Sequence, residues 1–121
     1  MPIARLTAAL VAAALLGGCG GAEPPARVRG ERVDIVLDDF LLRPQTVRAR
    51  AGTLTFDVKN EGRIPHNFRL RRGEGEPLKI TTLLPGETGT RRAELPRGDY
   101  RMVCTVANHE ELGMTGTLVV R

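Results

Sequence analysis

The sequence predicts an all-β protein of the sandwich class, folded as one domain. Short segments rich in Val, Thr, Leu and Ile alternate in polarity, and turns rich in Gly, Pro and Asp separate them. No long helical period interrupts this pattern in the part that is expected to fold. The predicted strands are 32–38, 45–49, 53–60, 66–71, 88–95, 99–104 and 115–120.

The N-terminal segment has the features of an export signal. Arg5 precedes an uncharged run, residues 6–16, which is shorter than the roughly 20 apolar residues that a membrane-spanning helix needs. The following Leu16-Gly17-Gly18-Cys19 resembles the lipobox of bacterial lipoproteins, in which the Cys is acylated and becomes the first mature residue. We therefore expect residues 1–18 to be a signal peptide and Cys19 to carry lipid. The protein is then expected outside the cytoplasm, anchored to a bacterial membrane on its periplasmic face or outer surface.

The remaining chain divides into a tether and a domain. Residues 19–31 are small, Pro/Gly-rich and without apolar periodicity, which predicts a flexible tether, and residues 32–121 form the predicted domain. The chain has 18 Lys and Arg against 14 Asp and Glu, with one Tyr and no Trp. Because the basic residues alternate with apolar ones and form no tract, we do not expect nucleic acid as a partner.

Four side chains have the chemistry of a metal site. Cys104, His109 and Met114 lie close together near the C-terminus, and His66 is the other histidine of the chain. One thiolate, two imidazoles and a thioether are the ligands of a blue-copper site, in which soft sulfur donors suit Cu(I) and imidazole accepts Cu(II). A lone buried Cys is often inert and a lone Met often fills space, so the prediction depends on their combination.

Two alternatives compete with copper. Exported cysteines tend to pair, so Cys19 and Cys104 could form a disulfide, which acylation of Cys19 would prevent. Zinc is the other competitor, but Met114 is a poor zinc ligand, and structural zinc sites usually draw on paired Cys or His motifs that this chain lacks.

Three segments together resemble the cupredoxin family, which includes plastocyanins, azurins, rusticyanins and sulfocyanin-like proteins. They are Gly52-Thr53-Leu54-Thr55-Phe56-Asp57-Val58-Lys59-Asn60, the motif His66-Asn67-Phe68, and the loop that contains Cys104, His109 and Met114. The resemblance implies a Greek-key β-sandwich that binds one copper ion. It implies that His66, Cys104 and His109 are the equatorial ligands and Met114 the axial one. Asn67 is implied to join the two ligand-bearing segments by hydrogen bonds.

The spacing within the loop refines the resemblance. Four residues separate Cys104 from His109 and four separate His109 from Met114, which is closer to rusticyanin-like than to plastocyanin-like loops. The dinuclear copper centre of cytochrome oxidase subunit II needs a second Cys, where this loop has Asn108. Family members commonly surround the second His with apolar residues, whereas acidic residues follow it here, which indicates either a solvated loop or a partner with a basic face.

These features predict an electron carrier. Three strong ligands and a weak axial one leave no coordination position for a small-molecule substrate, and the chain has no Ser and no His free to act as a base. We expect a monomer that exchanges single electrons with a redox protein, a cytochrome, oxidase or reductase, through the edge of His109. It is not expected to be an enzyme. The alternatives are a copper-binding module for delivery or homeostasis, a metal-free structural lipoprotein, and a non-blue copper enzyme with an altered axial ligand.

Overall fold

The computed structural model describes residue 18 and residues 20–121, and this part of the chain consists of β-strands, turns and loops without a helix. The predicted signal peptide and the predicted lipid-bearing Cys19 lie outside the described residues, apart from Gly18. In the described part, no helix has the length and apolar character needed to cross a membrane. The all-β prediction is confirmed. The strands are β1 (Ala26–Arg27), β2 (Arg32–Asp38), β3 (Leu41–Arg43), β4 (Thr46–Ala49), β5 (Gly52–Asn60), β6 (His66–Arg72), β7 (Gly75–Leu83), β8 (Thr88–Leu95), β9 (Gly98–Val103) and β10 (Thr115–Val120).

The strands form two mixed sheets that face each other. One sheet has six strands in the order β1-β4-β10-β9-β6-β7, and the other has four in the order β3-β2-β5-β8. The pairs β1 with β4, β4 with β10, and β2 with β5 are parallel, and the other neighbouring strands are antiparallel. Alternation of buried and exposed residues along the strands places one face of each sheet toward the core.

The core lies between the two sheets. Phe56 of β5 and Phe68 of β6 are both fully buried, and their ring centroids are 5.9 Å apart across the interface. Leu37, Leu70 and Leu118 are also fully buried. A continuous apolar interior of this kind supplies most of the favourable free energy of folding and fixes the positions of the strand ends.

Three observed strands, β1, β3 and β7, are absent from the predicted set. β1 lies within the predicted tether, where its two residues pair with β4, so the six-stranded sheet begins at Ala26. β3 is only three residues long, and β7 contains Pro77, which is tolerated because β7 is the last strand of its sheet. All three are edge strands, each with one neighbour in its sheet.

Candidate metal centre

The C-terminal loop, residues 104–114, connects β9 to β10 and holds Cys104, His109 and Met114. The last pair of the β9–β10 ladder joins Val103 to Thr115, so the loop begins and ends at neighbouring positions. Its base is closed where the Cys104 N–H donates to the Met114 carbonyl at 3.1 Å. The Met114 N–H donates to the His109 carbonyl, also at 3.1 Å, and the His109 N–H donates to the Val106 carbonyl at 3.0 Å. Backbone bonds within the loop therefore fix all three candidate ligands relative to one another.

His66 reaches the same place from a different element. It is the first residue of β6, which pairs with β9 in the same sheet, and its side chain is fully buried. The His66 Nδ1 lies 3.1 Å from the His109 Nδ1 and 3.9 Å from the Cys104 Sγ, while the His109 Nδ1 lies 3.6 Å from that sulfur. The three predicted equatorial side chains thus converge through one donor atom each.

The spacing of these donor atoms fits one transition-metal ion. Bonds of about 2.0 Å to nitrogen and about 2.3 Å to sulfur in a trigonal plane require edges of about 3.5 Å between nitrogens and about 3.7 Å from sulfur to nitrogen. The observed 3.1 Å between the Nδ1 atoms and the 3.6 and 3.9 Å from the sulfur are close to those edges. One thiolate and two imidazoles are the equatorial donors of a type 1 copper site, so the residues present fit copper.

Met114 lies at the base of the C-terminal loop, fully buried as part of the core cluster. Its backbone bonds both to Cys104 and to His109, so its main chain adjoins two of the three converging residues. A thioether is the weak axial donor of a type 1 copper site, so the side-chain chemistry of Met114 fits this role.

Asn67 connects the two ligand-bearing segments. Its backbone N–H donates to the Cys104 Sγ at 3.5 Å, its Nδ2 donates to the Thr105 Oγ1 at 2.9 Å, and its Oδ1 accepts from the Thr105 N–H at 2.7 Å. Hydrogen bonds of this kind orient a thiolate and restrain the loop that carries it. The geometry matches the role that the family resemblance implies for this residue.

Asn60 supports the upstream loop, residues 61–65, which leads from β5 into His66. Its side chain is fully buried, and its Nδ2 donates to the carbonyls of Ile64 and Leu83, each at 2.9 Å. Its Oδ1 accepts from the Gly62 N–H at 2.9 Å. Asn60 belongs to the family motif, but the sequence does not reveal its role. Its side-chain partners other than Gly62 lie four or more residues away along the chain.

Asp39 is a second residue near the site whose role the sequence did not predict. Its Oδ1 lies 3.1 Å from the His66 Nε2 and also accepts from the Arg63 N–H at 2.9 Å. The hydrogen bond to His66 holds the pKa of Asp39 below its ordinary value, against partial burial, and the bonds from Arg63 lower that pKa further. Asp39 is therefore a carboxylate at neutral pH. The neighbouring Asp38 pairs not with His66 but with Arg43.

His109 is neutral at neutral pH, which is the form of imidazole that binds metals. Burial lowers its pKa, and the adjacent His66 lowers the pKa further through charge repulsion, while the Asp39 carboxylate acts in the opposite direction.

Exposed apolar side chains lie near His109. The Phe40 ring stands edge-on to the His109 ring, with the two centroids 5.1 Å apart, and the exposed Leu112 belongs to the same loop as His109. Leu84 is also exposed and follows directly after Leu83, which pairs with His66. Acidic residues follow His109 in sequence, but Phe40, from the turn between β2 and β3, supplies an apolar contact to its ring.

Glu110 does not present a free negative charge beside His109. Its carboxylate oxygens lie 3.2 Å from the Arg71 Nη1 and 3.0 Å from the Arg101 Nη2. Both guanidinium groups extend from neighbouring strands of the six-stranded sheet. The structure therefore gives Glu110 no support as a contact for a partner with a basic face.

Comparisons with known proteins agree with the fold. The chain's fold is similar to that of a reduced auracyanin from Roseiflexus castenholzii, with 19% identity and a TM-score of 0.72 over 76% of this chain and 98% of that one. Auracyanin A of Chloroflexus aurantiacus, described as a blue copper protein, has 21% identity and a TM-score of 0.68 over 79% of this chain and all of the other. Reduced rusticyanin has 17% identity and a TM-score of 0.63 over 80% and 84% of the two chains.

Larger copper enzymes share the fold as well. A multicopper oxidase and a copper-containing nitrite reductase from Thermus scotoductus match the chain over 41% and 28% of their own lengths. No characterised protein compared by sequence alone gives a significant match. The sequence profile of the cupredoxin-like domain matches residues 6–120, which is nearly the whole chain. This protein is therefore a member of the cupredoxin family.

Proposed function

We propose that this protein binds one copper ion through His66, Cys104, His109 and Met114 and carries single electrons between redox proteins. The observation that supports the proposal is the convergence of one thiolate and two imidazole nitrogens at the spacing of a trigonal metal site. The same donors are almost completely buried, with Cys104 and His66 at 0% exposure and His109 at 6%. Within residues 20–121, protein atoms thus enclose the donor set.

Copper supplies the one-electron chemistry when bound, because it is stable as both Cu(I) and Cu(II) in a site of this donor set. The chain supplies a rigid arrangement of donors. Asn67 restrains the Cys104 sulfur, and backbone bonds hold His109 against the base of the C-terminal loop. Because these restraints come from the protein's own hydrogen bonds, little reorganisation is needed when the charge of the site changes.

His109 provides the route to a partner. It is the most exposed of the four candidate ligands, and Phe40 and Leu112 form an apolar surface near it. A redox protein that buries this surface covers apolar side chains close to His109. The apolar character favours a short-lived complex in which shape and burial, rather than ion pairs, align the two proteins.

A spectroscopic titration tests the copper site. Purified protein is mixed with Cu(II), and the visible absorption spectrum is recorded for the wild type, Cys104→Ser and Cys19→Ser. We expect an intense visible band from copper bound to a thiolate in the wild type and Cys19→Ser, and its loss in Cys104→Ser. Copper binding without this band in the wild type would contradict the type 1 assignment.

Copper delivery is the alternative to electron transfer. Delivery requires metal that exchanges readily, whereas these donors are enclosed by the core and by the C-terminal loop. Slow loss of Cu(I) to a soluble chelator, together with reversible reduction and reoxidation, supports the carrier. Rapid transfer to the chelator would favour delivery.

We further propose that Cys19 is acylated and that the protein is tethered outside the cytoplasm. The support is the lipobox-like sequence ending at Cys19, followed by a Pro/Gly-rich segment. Labelling of cells with a radioactive fatty acid should mark the wild type and not Cys19→Ser, and Cys19→Ser should leave the membrane fraction. Equal labelling of both forms would exclude this anchor.

A further inference from the structure

The turn between β2 and β3 places a carboxylate against one of the candidate ligands. The Asp39 Oδ1 lies 3.1 Å from the His66 Nε2, and the Asp39 side chain is only 21% exposed. The other ring nitrogen of His66, Nδ1, faces the Cys104 Sγ and the His109 Nδ1. The two nitrogens of this imidazole therefore have chemically different surroundings, with an anion on one side and the candidate metal centre on the other.

This arrangement selects one tautomer of His66. An ionised carboxylate only accepts hydrogen bonds, so the proton of the neutral imidazole is favoured on Nε2. The lone pair is then on Nδ1, directed toward Cys104 and His109. The opposite tautomer would place an imidazole lone pair against the Asp39 carboxylate, which is electrostatically unfavourable.

Asp39 is itself held in position by the upstream loop. The Arg63 N–H donates to its Oδ1 at 2.9 Å, and the Arg63 Nε lies 3.3 Å from its Oδ2. Gly62 packs directly over the contact: a Cβ atom at this position would lie 2.4 Å from the Asp39 Oδ1 and 2.8 Å from the His66 Nε2. The carboxylate and imidazole thus meet in a space that admits no further side chain.

We propose that Asp39 is a positioning residue for the copper site, which fixes the Nε2–H tautomer and ring orientation of His66 and favours Cu(II) through its negative charge. This inference rests on the proposed function for its copper-dependent part. A carboxylate that accepts from a metal-binding histidine makes the imidazole a stronger ligand, and loss of such a partner typically lowers metal affinity by about 10–100-fold. The anionic charge stabilises Cu(II) more than Cu(I), so Asp39 lowers the reduction potential.

Three variants separate the effects of hydrogen bonding and charge. Asp39→Ala removes both, whereas Asp39→Asn removes the charge and retains an oxygen that accepts from His66. Asp38→Asn is the matched control, because it removes an equal charge from the adjacent residue, whose Oδ2 pairs with Arg43. The Asp38 Oδ1 accepts from the Asp39 N–H at 2.9 Å, and the Asn oxygen can retain that bond. Each variant is examined by nitrogen NMR of the copper-free protein, by competition assays of Cu(II) and Cu(I) affinity, and by redox titration.

We expect the copper-free wild type to show His66 protonated on Nε2, and Asp39→Ala to show a mixture of tautomers. Asp39→Ala should lose about 10–100-fold in Cu(II) affinity and less in Cu(I) affinity. Asp39→Asn should regain most of the Cu(II) affinity lost in Asp39→Ala but keep a raised potential. Asp38→Asn should resemble the wild type in all three measurements.

Three results would overturn the proposal. They are an Nδ1-protonated His66 in the copper-free wild type, an unchanged tautomer and affinity in Asp39→Ala, and equal potential shifts in Asp38→Asn and Asp39→Asn. If Asp39→Ala does not fold, Asp39→Asn and its potential decide the question. If the wild type binds no copper, the proposed function fails, while NMR of the copper-free protein still tests the tautomer.

Discussion

The two loops that form the candidate metal centre are held in place in different ways. The C-terminal loop, residues 104–114, is fixed largely by its own backbone, through bonds such as those from Cys104 to Met114 and from Met114 to His109. The upstream loop, residues 61–65, is fixed by groups outside it, namely the side chains of Asn60 and Asp39 and the backbone carbonyl of Leu37. One loop is organised locally, and the other depends on neighbours that the fold brings to it.

This difference has consequences for how each loop responds to mutation. Backbone hydrogen bonds survive most side-chain substitutions, so the C-terminal loop should tolerate changes at its exposed positions. The upstream loop should be more sensitive to the loss of a single side chain, because Asn60 bonds to backbone groups at both Gly62 and Ile64. The upstream loop, which leads into His66, is therefore the more sensitive of the two to mutation.

Asn60→Ala should have the largest effect on stability. The substitution removes bonds to the Ile64 carbonyl, the Leu83 carbonyl and the Gly62 N–H around a fully buried side chain. The Gly62 N–H keeps the Leu37 carbonyl at 3.1 Å, so the main cost comes from the two carbonyls that lose the Asn60 amide. An unsatisfied buried polar group costs about 1–3 kcal/mol, so we expect the free energy of unfolding to fall by about 3 kcal/mol or more. Urea unfolding of the copper-free protein measures the change.

Asn108→Ala is the control for this prediction, because Asn108 is an exposed amide in the C-terminal loop. Its substitution should change the free energy of unfolding by less than about 0.5 kcal/mol. A cost for Asn60→Ala as small as that of Asn108→Ala would show that the upstream loop does not need its side-chain support.

Gly62→Ala should affect both stability and copper binding. The new methyl group would lie 2.4 Å from the Asp39 Oδ1 and 2.8 Å from the His66 Nε2, so these groups must separate. We expect a loss of about 1–3 kcal/mol in the free energy of unfolding, typical of overpacking at a closed site. Competition titration should also show weaker Cu(II) binding, because His66 is displaced from its carboxylate.

Gly113→Ala gives the corresponding change in the C-terminal loop. Gly113 has a φ of +104°, and the nearest atom to an added Cβ is the Phe40 carbonyl oxygen at 4.0 Å. The cost there is conformational, about 1–2 kcal/mol, and Cu(II) affinity should be retained. If both glycine variants weaken Cu(II) binding equally, the steric explanation for Gly62 is wrong.

The two loops also differed in how far the sequence could predict them. The residues of the C-terminal loop are contiguous, so the spacing of Cys104, His109 and Met114 was enough to nominate them as ligands. Predicted strands such as 32–38, 88–95 and 115–120 agree with the structure because their alternating pattern is local.

The role of Asp39 could not be predicted in the same way. The pair Asp38-Asp39 has no polar neighbours in sequence that suggest a function, and His66 lies 27 residues further along the chain. The contact forms only because β2 and β5 run parallel with Leu37 opposite Asn60, which brings the turn after β2 beside the upstream loop. Such a contact is a property of sheet topology, which the sequence pattern does not specify residue by residue.

Thr105→Val tests the connection between the two loops and should have a smaller effect. It removes the hydroxyl that accepts from the Asn67 Nδ2 at 2.9 Å and donates to the Asn67 Oδ1 at 3.3 Å, while the shorter bond from the Thr105 N–H to the Asn67 Oδ1 remains. We expect a loss of about 1 kcal/mol in the free energy of unfolding, because the usual net value of a hydrogen bond is about 1 kcal/mol and the longer contact shares an acceptor that stays satisfied. Thr105→Ser keeps the hydroxyl and should stay closer to the wild type in urea unfolding. A larger loss in Thr105→Ser than in Thr105→Val would contradict the assigned bond.

Glu110→Gln should have the smallest effect, although Glu110 contacts two arginines and adjoins a candidate ligand. The Arg71 and Arg101 side chains are 41% and 56% exposed, so solvent weakens both ion pairs. Such pairs contribute up to about 1 kcal/mol, and salt screens that contribution. Unfolding experiments at low and high salt should therefore show a difference between Glu110→Gln and the wild type that shrinks as salt is added.

Glu111→Gln, at the exposed neighbouring position, is the control for loss of one negative charge. A salt-independent loss well above 1 kcal/mol in Glu110→Gln alone would mean that side-chain pairing, as well as backbone bonding, holds the C-terminal loop.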